Sequence, residues 1–354
     1  LQIRHIPKMK HKPQSLTSWV TLVALAISAT VATFGSLCPV SLFAQPPEGS
    51  GDSGLKTSRL LSAQVFEGVS AKLEGLNSLS CELNQTVDMS GKRFQAVGKY
   101  MQATGNRMRL EYRIFPIRAT QATDKAASAI DSEPVDISEI KITGSLTQVS
   151  DGSVLWSYWV NGDQKQLTRR NIQAIVEAAD QLPNYSSAKS LQDLGVGGLQ
   201  TLMSNLQAGM EFGAVREQQV GNSKLLILSG RWTPKSRKDI FQLPDDSTAP
   251  LPEYVPDFVR IYVDAEAMLP RRVQYLKRHP NPEQKQIRPL VTLDFRSFKT
   301  NVEVLDQTFE FVRPDDEKIP ESDLTTQVIE SIKQTAGAQP PATGGGTPAA
   351  ADNK

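Results

Sequence analysis

The chain has 354 residues, with 39 Lys and Arg against 38 Asp and Glu, and 39% of its residues are hydrophobic. A net charge of +1 implies no polyelectrolyte partner, so nucleic acid is set aside. The length and the apolar fraction allow a sizeable globular core flanked by polar tails.

Residues 1–44 read as an export signal. Lys8, Lys10, His11 and Lys12 form a basic region ahead of the apolar run from Trp19 to Phe34. Cleavage after Ala44 fits, while Leu42, at a position that favours a smaller residue, leaves open an uncleaved membrane anchor. Either outcome places the remainder across the membrane, in the periplasm or envelope. Cys38 sits in "FGSLCP", the wrong order for lipid attachment, and Cys81, alone after the signal, reads as a small buried hydrophobe. Residues 45–58 form a Pro-, Gly- and Ser-rich spacer, and the main domain is expected over 59–320.

Leu60, Leu61, Val65, Val69, Leu73 and Leu76 recur at helical steps and predict a helix that must lie on an apolar partner. Period-two runs follow: Leu83, Val87 and Met89, then Phe94 and Tyr100, then Met108, Leu110, Tyr112 and Ile114, with "SGK" and "TGN" as turns. Residues 118–137 read as an insertion loop, after which strands resume in "GSLTQVS", "SVLWSYWV" and "QKQLTRR" around the hairpin turn "NGD". In "SVLWSYWV", Trp156 and Tyr158 share one face and Leu155 and Trp159 the other, so the first pair either lines a cavity or is sheet core.

Asn171 is placed to cap a helix near 172–182, and Leu191, Leu194, Leu199, Leu202 and Leu206 predict a second near 190–206. "GVGGLQ" at its start either presents amides to a phosphate or joins two helices flexibly. Further strands are expected in "MEFGAVREQQV", "KLLILSGRW" and the hairpin 257–278, separated by a Pro-rich loop at 243–256. A long strand and a short one then lead through "FEFVRP" to a helix at 321–336 and a low-complexity tail at 337–354.

Catalytic chemistry finds little to stand on. His279 is the one histidine after the signal, in a charged Pro-rich turn, and no metal-ligand or nucleotide-loop motif is present. Asp245 with Asp246 and Asp315 with Asp316 lack ligand spacing. The expectation is a binding protein without enzymatic activity, cofactor or metal.

The order of helix, hairpins, "SDGSVLWSYWV", a helical interruption, "LPRRVQYL", "LVTLDFRSFKTN" and "FEFVRPDDEKI" resembles the bacterial outer-membrane lipoprotein carriers, the LolA-like family related to LolB. The resemblance covers about residues 59–320. It implies an α+β fold in which a curved antiparallel sheet forms an incomplete, half-open β-barrel covered by short lid helices. It also implies that the sheet itself is the binding site, for acyl chains of lipoproteins or other lipid passed between membrane donor and acceptor proteins, by a monomer. The cavity candidates are then Phe94, Tyr100, Leu110, Tyr112, Trp156, Tyr158, Leu199 and Leu202, with Leu191, Leu194 and Leu206 on the lid. A basic residue followed by Pro latches the lid in that family. Thr104 and Gly105 stand there instead, so Arg107 or Arg109 is either the substitute latch or a solvated charge. The alternative function is an envelope scaffold or sensor of the same fold whose interior is filled by its own side chains.

Overall fold

The computed structural model describes residues 56–58, 60–89, 92–117, 141–182, 196–241, 251–279, 286–314 and 319–337. The expected signal, the insertion at 118–137, Leu191, Leu194, both Asp pairs and the tail lie outside them.

Among the described residues fourteen strands make one unclosed sheet. In chain order they are β1 (Lys56–Thr57), β2 (Ser78–Met89), β3 (Lys92–Ala103), β4 (Arg107–Pro116), β5 (Gly144–Asp151), β6 (Val154–Asn161), β7 (Gln164–Asn171), β8 (Met210–Phe212), β9 (Arg216–Val220), β10 (Ser223–Trp232), β11 (Phe258–Asp264), β12 (Pro270–Arg278), β13 (Ile287–Thr300) and β14 (Glu321–Asp323). Their spatial order is β1-β9-β10-β11-β12-β13-β2-β3-β4-β5-β6-β7-β14, and β8 also pairs with β10. Every pairing is antiparallel except β14 on β7. The two halves join where β13 pairs with β2, so the last long strand docks on the first. The sheet therefore reaches beyond both ends of the span 59–320, through β1 on one side and β14 on the other.

Local chemistry sets the turns. Gly105 and Asn106 both adopt positive φ, as a tight β3–β4 turn requires, and Gly162 does so between β6 and β7. Curvature has a different origin. Gly98 lies opposite Leu83 on β2 and Tyr112 on β4, and a Cβ there would fall 1.6 Å from the Glu111 carbonyl oxygen. Bare backbone at this point lets the two strands approach as they bend. Register shifts between Tyr262 and Val263, Tyr275 and Leu276, and Arg296 and Lys299 add bends in the other half.

Five helices accompany the sheet among the described residues: α1 (Ser62–Glu74), α2 (Ile172–Asp180), α3 (Gly198–Gly209), α4 (Pro234–Phe241) and α5 (Thr325–Gly337). In α1 the buried Val65, Val69 and Leu73 belong to the stripe read from the sequence and Phe66 joins them, whereas Leu60 and Leu61 precede the helix and are exposed, so the stripe starts later than expected. The Asn171 side chain accepts from the Ala174 amide at 3.0 Å and caps α2. Among the described residues helix α3 begins at Gly198, which takes φ +57°, and the earlier part of the helix expected near 190–206 lies outside them. Helix α4 is new. "PKSRKDIF" carries no apolar stripe, and its start is fixed by Thr233 Oγ1 accepting from the Ser236 amide at 2.9 Å. Asp323 Oδ1 accepts from the Thr325 hydroxyl at 2.6 Å and from its amide at 2.9 Å ahead of α5, and these Thr325 bonds, with Arg169 beside them, hold the Asp323 carboxyl below its ordinary pKa.

The expected short strand after β13 is instead a strap. From Val302 the chain crosses the outer face of the sheet, makes a 3₁₀ turn at Asp306–Phe309 against β4 and β5, and rejoins the sheet as β14. Elsewhere on the outer face a buried ion pair links Arg272 to Asp294 across β12 and β13. Near the end of β12, Lys277 Nζ donates to the carbonyls of Leu251, Pro252 and Val255 and to Asp257.

Gly98→Val should be among the most damaging single changes to the fold, costing about 3 kcal/mol or more by forcing β3 and β4 apart. Urea unfolding of the purified variant checks this, with Gly105→Ala as a milder comparison at an open turn.

Candidate functional site

The inner face is defined by register. On β2 it carries Leu79, Cys81, Leu83, Gln85 and Val87; on β3, Phe94, Ala96, Gly98 and Tyr100; on β4, Met108, Leu110, Tyr112 and Ile114. Across β13, β12, β11 and β10 the same face continues through Leu293, Val273, Ile261 and Leu228. Against it lie Val65, Phe66, Val69 and Leu73 of α1 and Leu199, Leu202, Met203 and Leu206 of α3, all in one buried apolar cluster. Neither sheet half alone could cover this surface, and the two helices lie side by side across it. Gln200 Nε2 donates to Glu74 at 2.8 Å on their exposed side, and Phe66 meets Phe212 edge-on at 4.8 Å.

The head of α3 sits closely against one polar residue of β3. Tyr100 Oη donates to Gln102 Oε1 at 2.8 Å and lies against Gly198, where a Cβ would be 1.9 Å from that oxygen. The glycine at the head of α3 thus serves close approach as well as its positive φ. Burial pushes the Tyr100 hydroxyl pKa up, with Cys81 adding to the rise and the Leu199 backbone opposing it. Cys81 is itself pushed up to about 12, by burial first and by Glu82 second, so its thiol stays protonated and unreactive at neutral pH.

Of the residues picked out in the sequence, Phe94, Tyr100, Leu110, Tyr112, Leu199, Leu202 and Leu206 come together on this inner surface. Trp156 and Tyr158 do not. Trp156 pairs with Val149 and Arg169 on the opposite face and stacks on Phe311 of the strap at 5.2 Å, whereas Trp159, opposite Leu146, packs against the inner cluster. The aromatic assignment is corrected by one residue of alternation, since both faces of that strand carry bulk.

Arg107 and Arg109 are likewise not lid latches. Arg107 pairs with Asp306 at 2.5 Å and lies over the Phe309 ring, and Arg109 donates to the carbonyls of Thr308 and Glu310 while pairing with Glu111. Both hold the strap to the outer face. A separate cluster of Leu155, Ile172, Ile175, Ala179, Val196 and Ile332 joins α2 and α5 near β6. The inner positions on β10 to β13 escaped sequence reading because runs such as "LLIL" are apolar on both faces: Leu225 and Ile227 form an outer cluster with Tyr262, while Leu226 and Leu228 point inward.

No described helix is long and apolar enough to cross a membrane. No family model matches the sequence, and no curated protein matches it. Solved structures do overlap with it. A Vibrio parahaemolyticus outer membrane lipoprotein-sorting protein domain is 9% identical, with 70% of this chain and 94% of that one covered at a TM-score of 0.28. LprF of Mycobacterium bovis is 9% identical over 68% and 93% at 0.32, and a LolA superfamily protein of Nitrosomonas europaea is 9% identical over 71% and 98% at 0.23. The superpositions are low, and the fold description rests on the sheet: an α+β, largely antiparallel, unclosed half-barrel with helices over its inner face.

Arg109→Met should speed amide hydrogen exchange in residues 306–310 and leave exchange in α1 and α3 unchanged. Faster exchange in α3 would instead restore the latch role.

Proposed function

We propose that the protein binds acyl chains of lipids or lipoproteins between the inner face of its sheet and the helix pair α1 and α3, and passes them across the periplasm between membrane donors and acceptors. The observation that carries this reading is the continuity of the apolar inner surface from β10 through β13 and β2 to β5, capped by two helices instead of a second sheet. A helix pair can lift from such a surface as a unit, which a paired sheet cannot do without breaking its ladder. Each methylene moved from water onto that surface contributes about 0.8 kcal/mol, so ten supply about 8 kcal/mol without any charged group. Binding and not catalysis is the activity proposed, and export rests on the pattern of residues 1–44.

A second reading has one observation in its favour. The inward residues of α3 are already buried, Leu199 and Met203 at 4% exposure and Leu202 and Leu206 at 5%, as they would be in a scaffold filled by its own side chains. Native mass spectrometry of protein purified from an exporting host without harsh detergent, followed by lipid extraction, separates the two. The carrier reading expects co-purifying acyl lipid and uptake of a fluorescent fatty acid, both lost in Leu202→Glu. A clean protein mass with no uptake would favour the scaffold.

A further inference from the structure

Two polar side chains interrupt the apolar inner face without partners among the described residues. Gln85 is 2% exposed and Tyr112 4%, and neither Gln85 Nε2 nor Tyr112 Oη has a hydrogen-bond partner among those residues. Tyr100, on the same face, shows the alternative: its hydroxyl is paired with Gln102. Leaving two buried donors unpaired costs stability, and a Leu or Phe at these positions would avoid the cost.

Their placement gives them a common target. Gln85 on β2 lies opposite Ala96 on β3, and Tyr112 on β4 lies opposite Gly98, the next inward position of the same strand. Ala96 and Gly98 are the two smallest inward residues of β3, so the floor is low between the two polar groups, with Leu83 and Val87 on one wall and Leu110 and Ile114 on the other. The burial that pushes the Tyr112 pKa up keeps its hydroxyl protonated, a donor at neutral pH. The complement of two neutral donors in an apolar trough is an uncharged acceptor. A carboxylate would enter with no cation among the residues of the trough to balance it.

We propose that Gln85 and Tyr112 together hold the carbonyl oxygen of an esterified acyl chain, and that the site prefers an ester to a free fatty acid. This rests on the acyl-binding reading above and narrows its substrate class. Phospholipids and lipoproteins both carry such esters, so the shared chemistry is the assignment.

The test is competition against a bound fluorescent probe by hexadecane, methyl palmitate and palmitate, with the full chain and its Gln85→Met/Tyr112→Phe variant. The wild type should bind methyl palmitate more tightly than hexadecane or palmitate. The variant should lose about tenfold in ester affinity, keep its hexadecane affinity, and unfold at an equal or higher urea concentration than the wild type. The single variant Tyr112→Phe, which removes one oxygen only, should show an intermediate loss. Equal binding of ester and hydrocarbon, or tighter binding of palmitate, or an unchanged ester affinity in the variant, overturns this inference and leaves acyl binding standing. Failure of the wild type to bind either hexadecane or ester overturns both. Competition by a dipalmitoyl phosphatidylethanolamine and by a dipalmitoyl-glyceryl-cysteine peptide then tells the two sources of ester apart.

Discussion

An antiparallel sheet that bends strongly but does not close has an inner face that no second sheet can cover, and the rest of this structure answers that constraint. Apolar side chains on alternate positions of β2, β3, β4 and β10 to β13 leave a surface too large to expose to water. Helices α1 and α3 supply the cover, and their own apolar stripes are consumed in doing so. The curvature depends on small features such as the missing side chain at Gly98, without which β3 and β4 could not approach while bending. A cover made of helices can also be removed in one piece, and the functional reading grows from that.

The outer face is handled differently. It carries the Arg272–Asp294 pair, the Gln95 to Asn84 hydrogen bond at 2.6 Å and, over β4 to β7, the strap that begins at Val302. Trp156 on Phe311 and the two arginines from β4 fasten that strap by stacking and by charge-assisted bonds to backbone carbonyls. Rigidity thus concentrates on the outside. The inside is held by dispersion and apolar contact, with Tyr100 close against Gly198 at the head of α3.

Local signals in the sequence were legible where a few neighbouring residues decide the outcome. The α1 stripe from Val65 to Leu73, the Asn171 cap and the turns at Gly105 and Gly162 are of this kind, and so are the long strands. Non-local matters were not. Which face of "SVLWSYWV" looks inward depends on the pairing of Leu146 with Trp159, and nothing within the strand itself chooses between two bulky faces. Strands β1 and β14 are two and three residues long, too short to show a period, and α4 has no apolar stripe to betray it. Arg107 and Arg109 were visible as basic residues on one face. Their partners lie about 200 positions later in the strap, a distance at which sequence spacing says nothing. The inner surface was half legible, in β2 to β4, and its other half was hidden by strands apolar on both sides.

The central claim is that acyl chains occupy the space between the inner face and α1 and α3. Isotope-filtered NOE spectroscopy on deuterated, methyl-protonated protein loaded with a protonated acyl ligand tests it directly. The account predicts contacts from the chain to the methyls of Leu202, Val259 and Leu293, with none to Leu225 or Ile227 on the outer face. Contacts confined to the outer face, or an inner surface silent to bound ligand, would contradict it.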